Sequence, residues 1–135
     1  MTAPPCPPHA RIMGVNVSAI TMADALRTIE DWIGRREQHF VCITGVHGVI
    51  ESQSDPELMA IHERAGLVTP DGMPLVWMAR KLGYRQTERV YGPDLMLALS
   101  ALSAQKGYRQ YYYGGAPGLA ERLRERLAER FPGLP

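Results

Sequence analysis

The feature that most constrains this chain is a repeated change of period, in which strand-length apolar runs alternate with stretches whose apolar residues recur at helical spacing. His39 to Val46 is a nearly continuous apolar run rich in β-branched residues, which predicts a strand buried on both faces, as in a parallel sheet. Ahead of it, Met22, Ala25, Leu26, Ile29, Trp32 and Ile33 form one stripe, predicting an amphipathic helix to about Arg36 with Trp32 in the core. Arg11 to Val17 alternates as a first strand, with Ser18 or Thr21 as the cap between the two.

The alternation continues downstream. A short helix is expected from Gly48 to about Gln53, and Ser54-Asp55-Pro56-Glu57 starts another that Gly66 ends. Leu67-Val68-Thr69 reads as a short strand running into Pro70-Asp71-Gly72, followed by a helix from Met73 to Leu82. Arg85 to Gly92 is polar and irregular. Pro93 opens a helix to about Lys106, Tyr108 to Tyr113 reads as a strand, and Leu119, Leu123 and Leu127 mark a final helix. Such alternation predicts an α/β layered domain with a mainly parallel sheet over residues 11–135. Residues 1–10, with four prolines, read as a disordered tail. The chain stops just after a helix, where another strand is expected, so the domain is expected to be cut short at its C-terminus.

Composition excludes several classes. Lys and Arg number 15 against 14 Asp and Glu, a net charge of +1 that argues against nucleic acid as a partner. Arg122, Arg124 and Arg126 alternate with Glu121, Glu125 and Glu129 and read as a solvated helix face. Cys6 and Cys42 lie in unlike contexts and form no metal or disulfide pattern, which suits a reducing cytoplasm. The N-terminus has no secretory signature, and no uncharged apolar stretch approaches the roughly eighteen residues of a membrane span.

In open α/β sheets, ligands bind beyond the carboxyl ends of the strands, and three segments fall there. In Thr44-Gly45-Val46-His47-Gly48, Thr44 fits a ligand contact or a turn hydroxyl equally well, whereas His47 suits a turn histidine better than a base or phosphate contact. In Thr69-Pro70-Asp71-Gly72, Asp71 fits a turn residue capping the next helix, the more common use, or a general base on a sugar hydroxyl. The link Gly114-Gly115-Ala116-Pro117-Gly118 offers backbone N–H groups at a helix start, suited to a phosphate, yet matches no specific nucleotide motif. Between these, Arg89 is a candidate diphosphate clamp, Tyr91 a stacking surface, and Asp94 a helix cap or a ligand for a sugar hydroxyl. No metal-ligand spacing joins His9, His39, His47 and His62, and no DxD is present, so no metal is expected.

Taken jointly, Thr-Gly-Val-His-Gly-Val-Ile-Glu (44–51), Asp55-Pro56-Glu57-Leu58, Val-Thr-Pro-Asp-Gly-Met-Pro-Leu-Val-Trp (68–77), Glu-Arg-Val-Tyr-Gly-Pro-Asp-Leu-Met (88–96) and Gly-Gly-Ala-Pro-Gly (114–118) resemble the WecG/TagA/CpsF glycosyltransferases from about Arg11 onward. The resemblance implies a Rossmann-like core and metal-independent, inverting transfer of an N-acetylmannosamine-type sugar from a UDP-sugar, with no cofactor. The implied acceptor is linked to a polyprenyl diphosphate, in teichoic acid, common antigen or exopolysaccharide assembly, at the inner face of the bacterial plasma membrane. It implies Asp71 as general base, and Thr44 and Arg89 as supports for the leaving diphosphate. His47, Tyr91, Asp94, Gly114, Gly115 and Gly118 are the accompanying substrate-binding candidates. Val46 stands where the family often has Asn. The rival expectation is a non-catalytic nucleotide-binding or interaction module. Self-association as a homo-oligomer is expected if a shortened domain leaves apolar surface uncovered.

Overall fold

A computed structural model of the chain describes residues 6–135. The chain divides into two compact units that meet in sequence at Gly92–Pro93. Among the described residues no helix is long and apolar enough to cross a membrane.

The first unit opens with a hairpin where one strand was expected. β1 (His9–Ile12) and β2 (Val15–Ser18) pair antiparallel, Ile12 opposite Val15. The loop residues Met13 and Gly14 both have positive φ, 48° and 82°, the backbone of a turn whose twist matches the flanking strands. Ala10, Ile12, Val15 and Val17 consequently all face the core, since a two-residue loop preserves the alternation across it. His9 and Ala10 therefore belong to a strand rather than to the expected tail, whose first five residues lie outside the described ones.

α1 (Met22–Arg35) begins at Thr21, whose side chain accepts from the Asp24 N–H while Asp24 accepts from the Thr21 N–H. These bonds, the backbone one foremost, hold the Asp24 carboxyl below its usual range. Trp32 is only half-buried. Its ring stacks on His39 at 4.3 Å, and a Cβ at Gly66 would fall 2.6 Å from its Cη2. Gly66 thus clears the indole, while the helix Pro56–Arg64 ends ahead of it, with Ala65 as its cap.

β3 (Val41–Thr44) and β4 (Leu67–Pro70) form a parallel pair, Val41 opposite Leu67 and Thr44 opposite Pro70. Between them run α2 (Val46–Glu51) and α3 (Pro56–Arg64); α3 is capped by Asp55, whose Oδ1 accepts from the Leu58 N–H at 3.0 Å. α4 (Met73–Lys81) follows β4. The fold is α/β as expected, but the sheet is not mainly parallel: one parallel and one antiparallel pair stand beside each other. β2 approaches β4 without a ladder. Its Ser18 hydroxyl accepts from the Val68 N–H at 2.9 Å, a side-chain bond in place of strand pairing. β4 is buried throughout, whereas β3 is not buried on both faces as expected: Ile43 is exposed, because too little packs over its face of the pair.

Of the polar stretch 85–92, expected to be irregular, 85–91 has no regular structure while Gly92 opens a helix; the stretch is nonetheless tightly tied. The Glu88 N–H donates to Ile20 O at 3.0 Å and the Val90 N–H to Pro70 O at 2.9 Å, leaving Val90 fully buried.

The second unit carries α5 (Gly92–Lys106), which begins at the last residue of the first, and α6 (Leu119–Arg130). Residues 108–113 were expected to be a strand and are not one. Among the described residues they have no ladder partner, and aromatic residues favour a strand only where a pleated neighbour packs against them. Tyr111 and Tyr113 are 90% and 93% exposed. Side chains hold the segment instead: Gln110 Nε2 donates to Ser103 Oγ at 3.0 Å, and the Tyr112 hydroxyl donates to Gln110 Oε1. α6 presents the expected charged face, with Arg126 3.7 Å from Glu129 and Leu127 buried beneath.

Candidate active site

Asp71 lies immediately beyond the C-terminal end of β4, the position an α/β sheet offers to ligands. Its N–H donates to Thr44 O at 3.0 Å, continuing the β3–β4 pairing by one residue. The expected alternative, that its carboxylate caps α4, does not occur: Gly72 is the cap residue and no side chain caps that end. Instead Oδ1 accepts from the Gly92 N–H at 3.0 Å. Among the described residues Oδ2 takes no hydrogen bond, and Asp71 is half-exposed. One oxygen is therefore anchored and the other remains available to an incoming hydroxyl, the arrangement a positioned base needs.

Arg89 adjoins it. Its Nε donates to Asp71 O at 2.7 Å, and its guanidinium carbon lies 4.4 Å from the Tyr91 ring centroid. The carbonyl bond and the aromatic face fix the plane of the fork without neutralising it. Among the described residues it meets no carboxylate, so its terminal N–H groups are open to an anion.

Thr44 occupies a different kind of place. It is buried, and its hydroxyl lies 3.0 Å from His62 Nε2. His62 is itself buried, with Nδ1 3.1 Å from Ser52 Oγ, and Ser52 donates its one proton to Gly48 O at 2.8 Å. Ser52 must then accept from Nδ1–H, which makes Nε2 the lone-pair nitrogen and Thr44 the donor to it. The Thr44 side chain is engaged inside the fold, and its contribution to the Asp71 turn is the backbone oxygen. His47, by contrast, is on the first turn of α2 with its side chain 92% exposed and Nε2 3.2 Å from Glu51 Oε2, one helical turn on.

The first unit thus brings together Thr44, Asp71, Arg89 and Tyr91, while His47 faces solvent nearby in sequence. Asp94, Gly114, Gly115 and Gly118 belong to the second unit. Asp94 is exposed in the first turn of α5. Gly114, Gly115 and Gly118 all take positive φ, between 78° and 107°, and Gly118 is the cap residue of α6. Sequence reasoning missed two contributors. Gly92 supplies the N–H that holds Asp71, and a backbone donor leaves no side-chain signal. His62 closes the buried network, and a histidine in a helix written for caps and apolar spacing does not announce its partners.

A shallow hollow of about 310 Å3 lies elsewhere on the first unit, against Pro8, Ala19 and the Gly83–Thr87 turn. It includes none of these polar groups. Among the described residues no group of three or more His, Cys, Asp or Glu side chains gathers as a metal-ligand set.

A half-exposed carboxylate at a strand end, beside an aromatically stacked arginine, defines a site suited to activating a hydroxyl near an anionic leaving group. Residues 10–135 match the glycosyl transferase WecG/TagA/CpsF family, and the chain belongs to it. Over 84 residues it is 30% identical to the N-acetylglucosaminyldiphosphoundecaprenol N-acetyl-beta-D-mannosaminyltransferase of Bacillus spizizenii. That match takes in 62% of this chain and spans about a third, 33%, of the relative's length.

Proposed function

We propose that this chain carries the base and leaving-group half of a glycosyltransferase site, which moves an N-acetylmannosamine-type sugar from a UDP-sugar to a polyprenyl-diphosphate-linked acceptor. The observation that carries the reading is the Asp71–Arg89 pair: a carboxylate with one anchored and one open oxygen, next to an uncompensated guanidinium. Family membership and the relative's name support the reaction class. Asp71 Oδ2 removes the proton from an acceptor hydroxyl as that oxygen bonds to the anomeric carbon. The bond from that carbon to the donor's diphosphate breaks on the opposite face, with inversion, and UDP departs with the electron pair. Arg89 meets the charge growing on the diphosphate, where a fixed cation is most effective. Tyr91 holds the guanidinium plane, and Thr44 is a positioning residue that fixes the Asp71 backbone. The reaction takes place at the inner face of the plasma membrane, where a polyprenyl-linked acceptor resides.

Titrating UDP into the chain calorimetrically, beside Arg89→Ala, tests the diphosphate half. Binding that weakens in the variant is expected, and equal binding by both removes the clamp. Transfer from a UDP-sugar to a synthetic polyprenyl-diphosphate acceptor, measured in a transfer-competent form, tests the rest.

A further inference from the structure

Among the described residues His62 is the only ionisable side chain that is fully buried, and the transfer step leaves it unused. Burying a polar ring carries a cost that its hydrogen bonds must offset. Both ring nitrogens bond hydroxyls, while Glu57, Glu63 and Arg64 of the same helix are exposed. The ring joins three elements. It stands in the last turn of α3; Ser52, which accepts from Nδ1–H, closes α2; and Thr44, which donates to Nε2, ends β3. The Thr44 methyl is fixed as well. A Cβ at Gly48, inside α2, would fall 3.2 Å from Thr44 Cγ2, so the methyl lies against that helix while His62 takes the hydroxyl. A β-branched side chain gripped at both branches has a single χ1 open to it and holds its own backbone. That backbone carries the oxygen that accepts from the Asp71 N–H at 3.0 Å.

We propose that His62 is a positioning residue for transfer: as the Nδ1–H tautomer it draws the Thr44 hydroxyl inward and so fixes the turn that aims Asp71. The inference rests on the reading of Asp71 as the base. His62 makes no hydrogen bond to Asp71 and acts through Thr44. It commits the Thr44 hydroxyl to the fold and leaves only the Thr44 carbonyl to the site, in place of the support for the leaving diphosphate that the resemblance implies. Turnover is therefore what His62 governs, because the donor's diphosphate meets Arg89, which is stacked separately on Tyr91. A reacting group displaced by about 1 Å can cost about a hundredfold in rate, so a small release of this turn is enough to be measured.

The first test reads the ring itself. In long-range proton–nitrogen correlation spectra of the histidine-labelled chain, His62 is expected as the Nδ1–H tautomer, its signal assigned by its loss in His62→Gln. A ring protonated at Nε2 alone overturns the proposal whatever the activity. The second test separates the acceptor from the bulk of the side chain. His62→Gln carries an amide oxygen to about the place of Nε2 and keeps an acceptor for Thr44, whereas His62→Asn reaches only the place of Nδ1 and serves Ser52 alone. In a transfer-competent form, kcat is expected to fall about tenfold or more in His62→Asn and to stay within about threefold in His62→Gln, with donor KM and UDP affinity within about twofold in both. Thr44→Val added to His62→Asn should cost no further turnover, since the two side chains act as one unit. Unchanged kcat in His62→Asn, equal losses in His62→Asn and His62→Gln, or additive losses in the double variant overturn the proposal. Circular dichroism melts set the assay temperature below the unfolding of each variant. Asp71→Asn, run beside them, keeps the two readings apart. If it loses transfer while His62→Asn does not, the base stands and the positioning role falls; if it transfers normally, both fall.

Discussion

At Pro70-Asp71-Gly72 and again at Tyr113–Gly118 the chain passes from an apolar or aromatic segment through glycine into a helix, but the two passages fold differently. The first is a strand end clamped from both sides: β3 pairs with it, the 88–92 stretch is tied to it, and the Asp71 carboxylate holds the Gly92 N–H. The second has no ladder among the described residues, and Tyr111 and Tyr113 stand in solvent while Gln110 and Tyr112 make side-chain bonds. The difference teaches that strand propensity is a preference for a neighbour. A segment becomes a strand where its backbone N–H and C=O groups meet a partner.

The largest expected effect breaks the comparison at its chemical end. Asp71→Asn keeps an oxygen for the Gly92 N–H but cannot take a proton, so transfer should fall by about 10²–10⁴-fold with an unchanged thermal melt. Retained activity would reduce Asp71 to a turn residue. Next, His62→Leu should cost about 1–3 kcal/mol in urea denaturation, because it strands the buried Thr44 hydroxyl, whereas Ser52 keeps its bond to Gly48 O. A cost near zero would show that the strand end does not depend on that network.

Two alanine substitutions set the segments side by side. Val68→Ala in β4 empties buried volume and should cost about 1.5–2.5 kcal/mol, whereas Tyr111→Ala should stay within about 0.5 kcal/mol. Equal costs would mean that the second segment has a packing partner after all. The smallest effect is acid sensitivity at α1. Asp24 has a depressed folded pKa, so its contribution is present above its unfolded value near 3.8 and is lost as pH falls through the folded one. Thr21→Ala should flatten that dependence in melts followed below about pH 4.

Much of the first unit was legible along the chain. The helical stripe from Met22, the Asp55-Pro56 start, the break at Gly66 and the strand into Asp71 each rest on local chemistry: side-chain period, capping oxygens, and glycine. The Met13-Gly14 turn was hidden because an apolar alternation runs straight through it. Burial of both faces of β3 was misjudged because an apolar run states what a strand tolerates and not what covers it. At the site, Asp71 and Arg89 were visible as residue types, but the partner of each is a backbone atom far along the chain, Gly92 N–H for one and Asp71 O for the other.

Sequence alone determined roughly where the helices lie, though α2 runs from Val46 to Glu51 where Gly48 to about Gln53 was expected. It determined as well which residues are able to carry charge or accept a proton, and the family to which their order belongs. Tertiary structure alone decided which apolar run found a ladder and which hydroxyl was taken by His62. It also decided that a carboxylate at a common turn keeps one oxygen open. The reason is that period and capping act within a few residues, whereas pairing, burial and backbone hydrogen bonds join positions that only folding brings together.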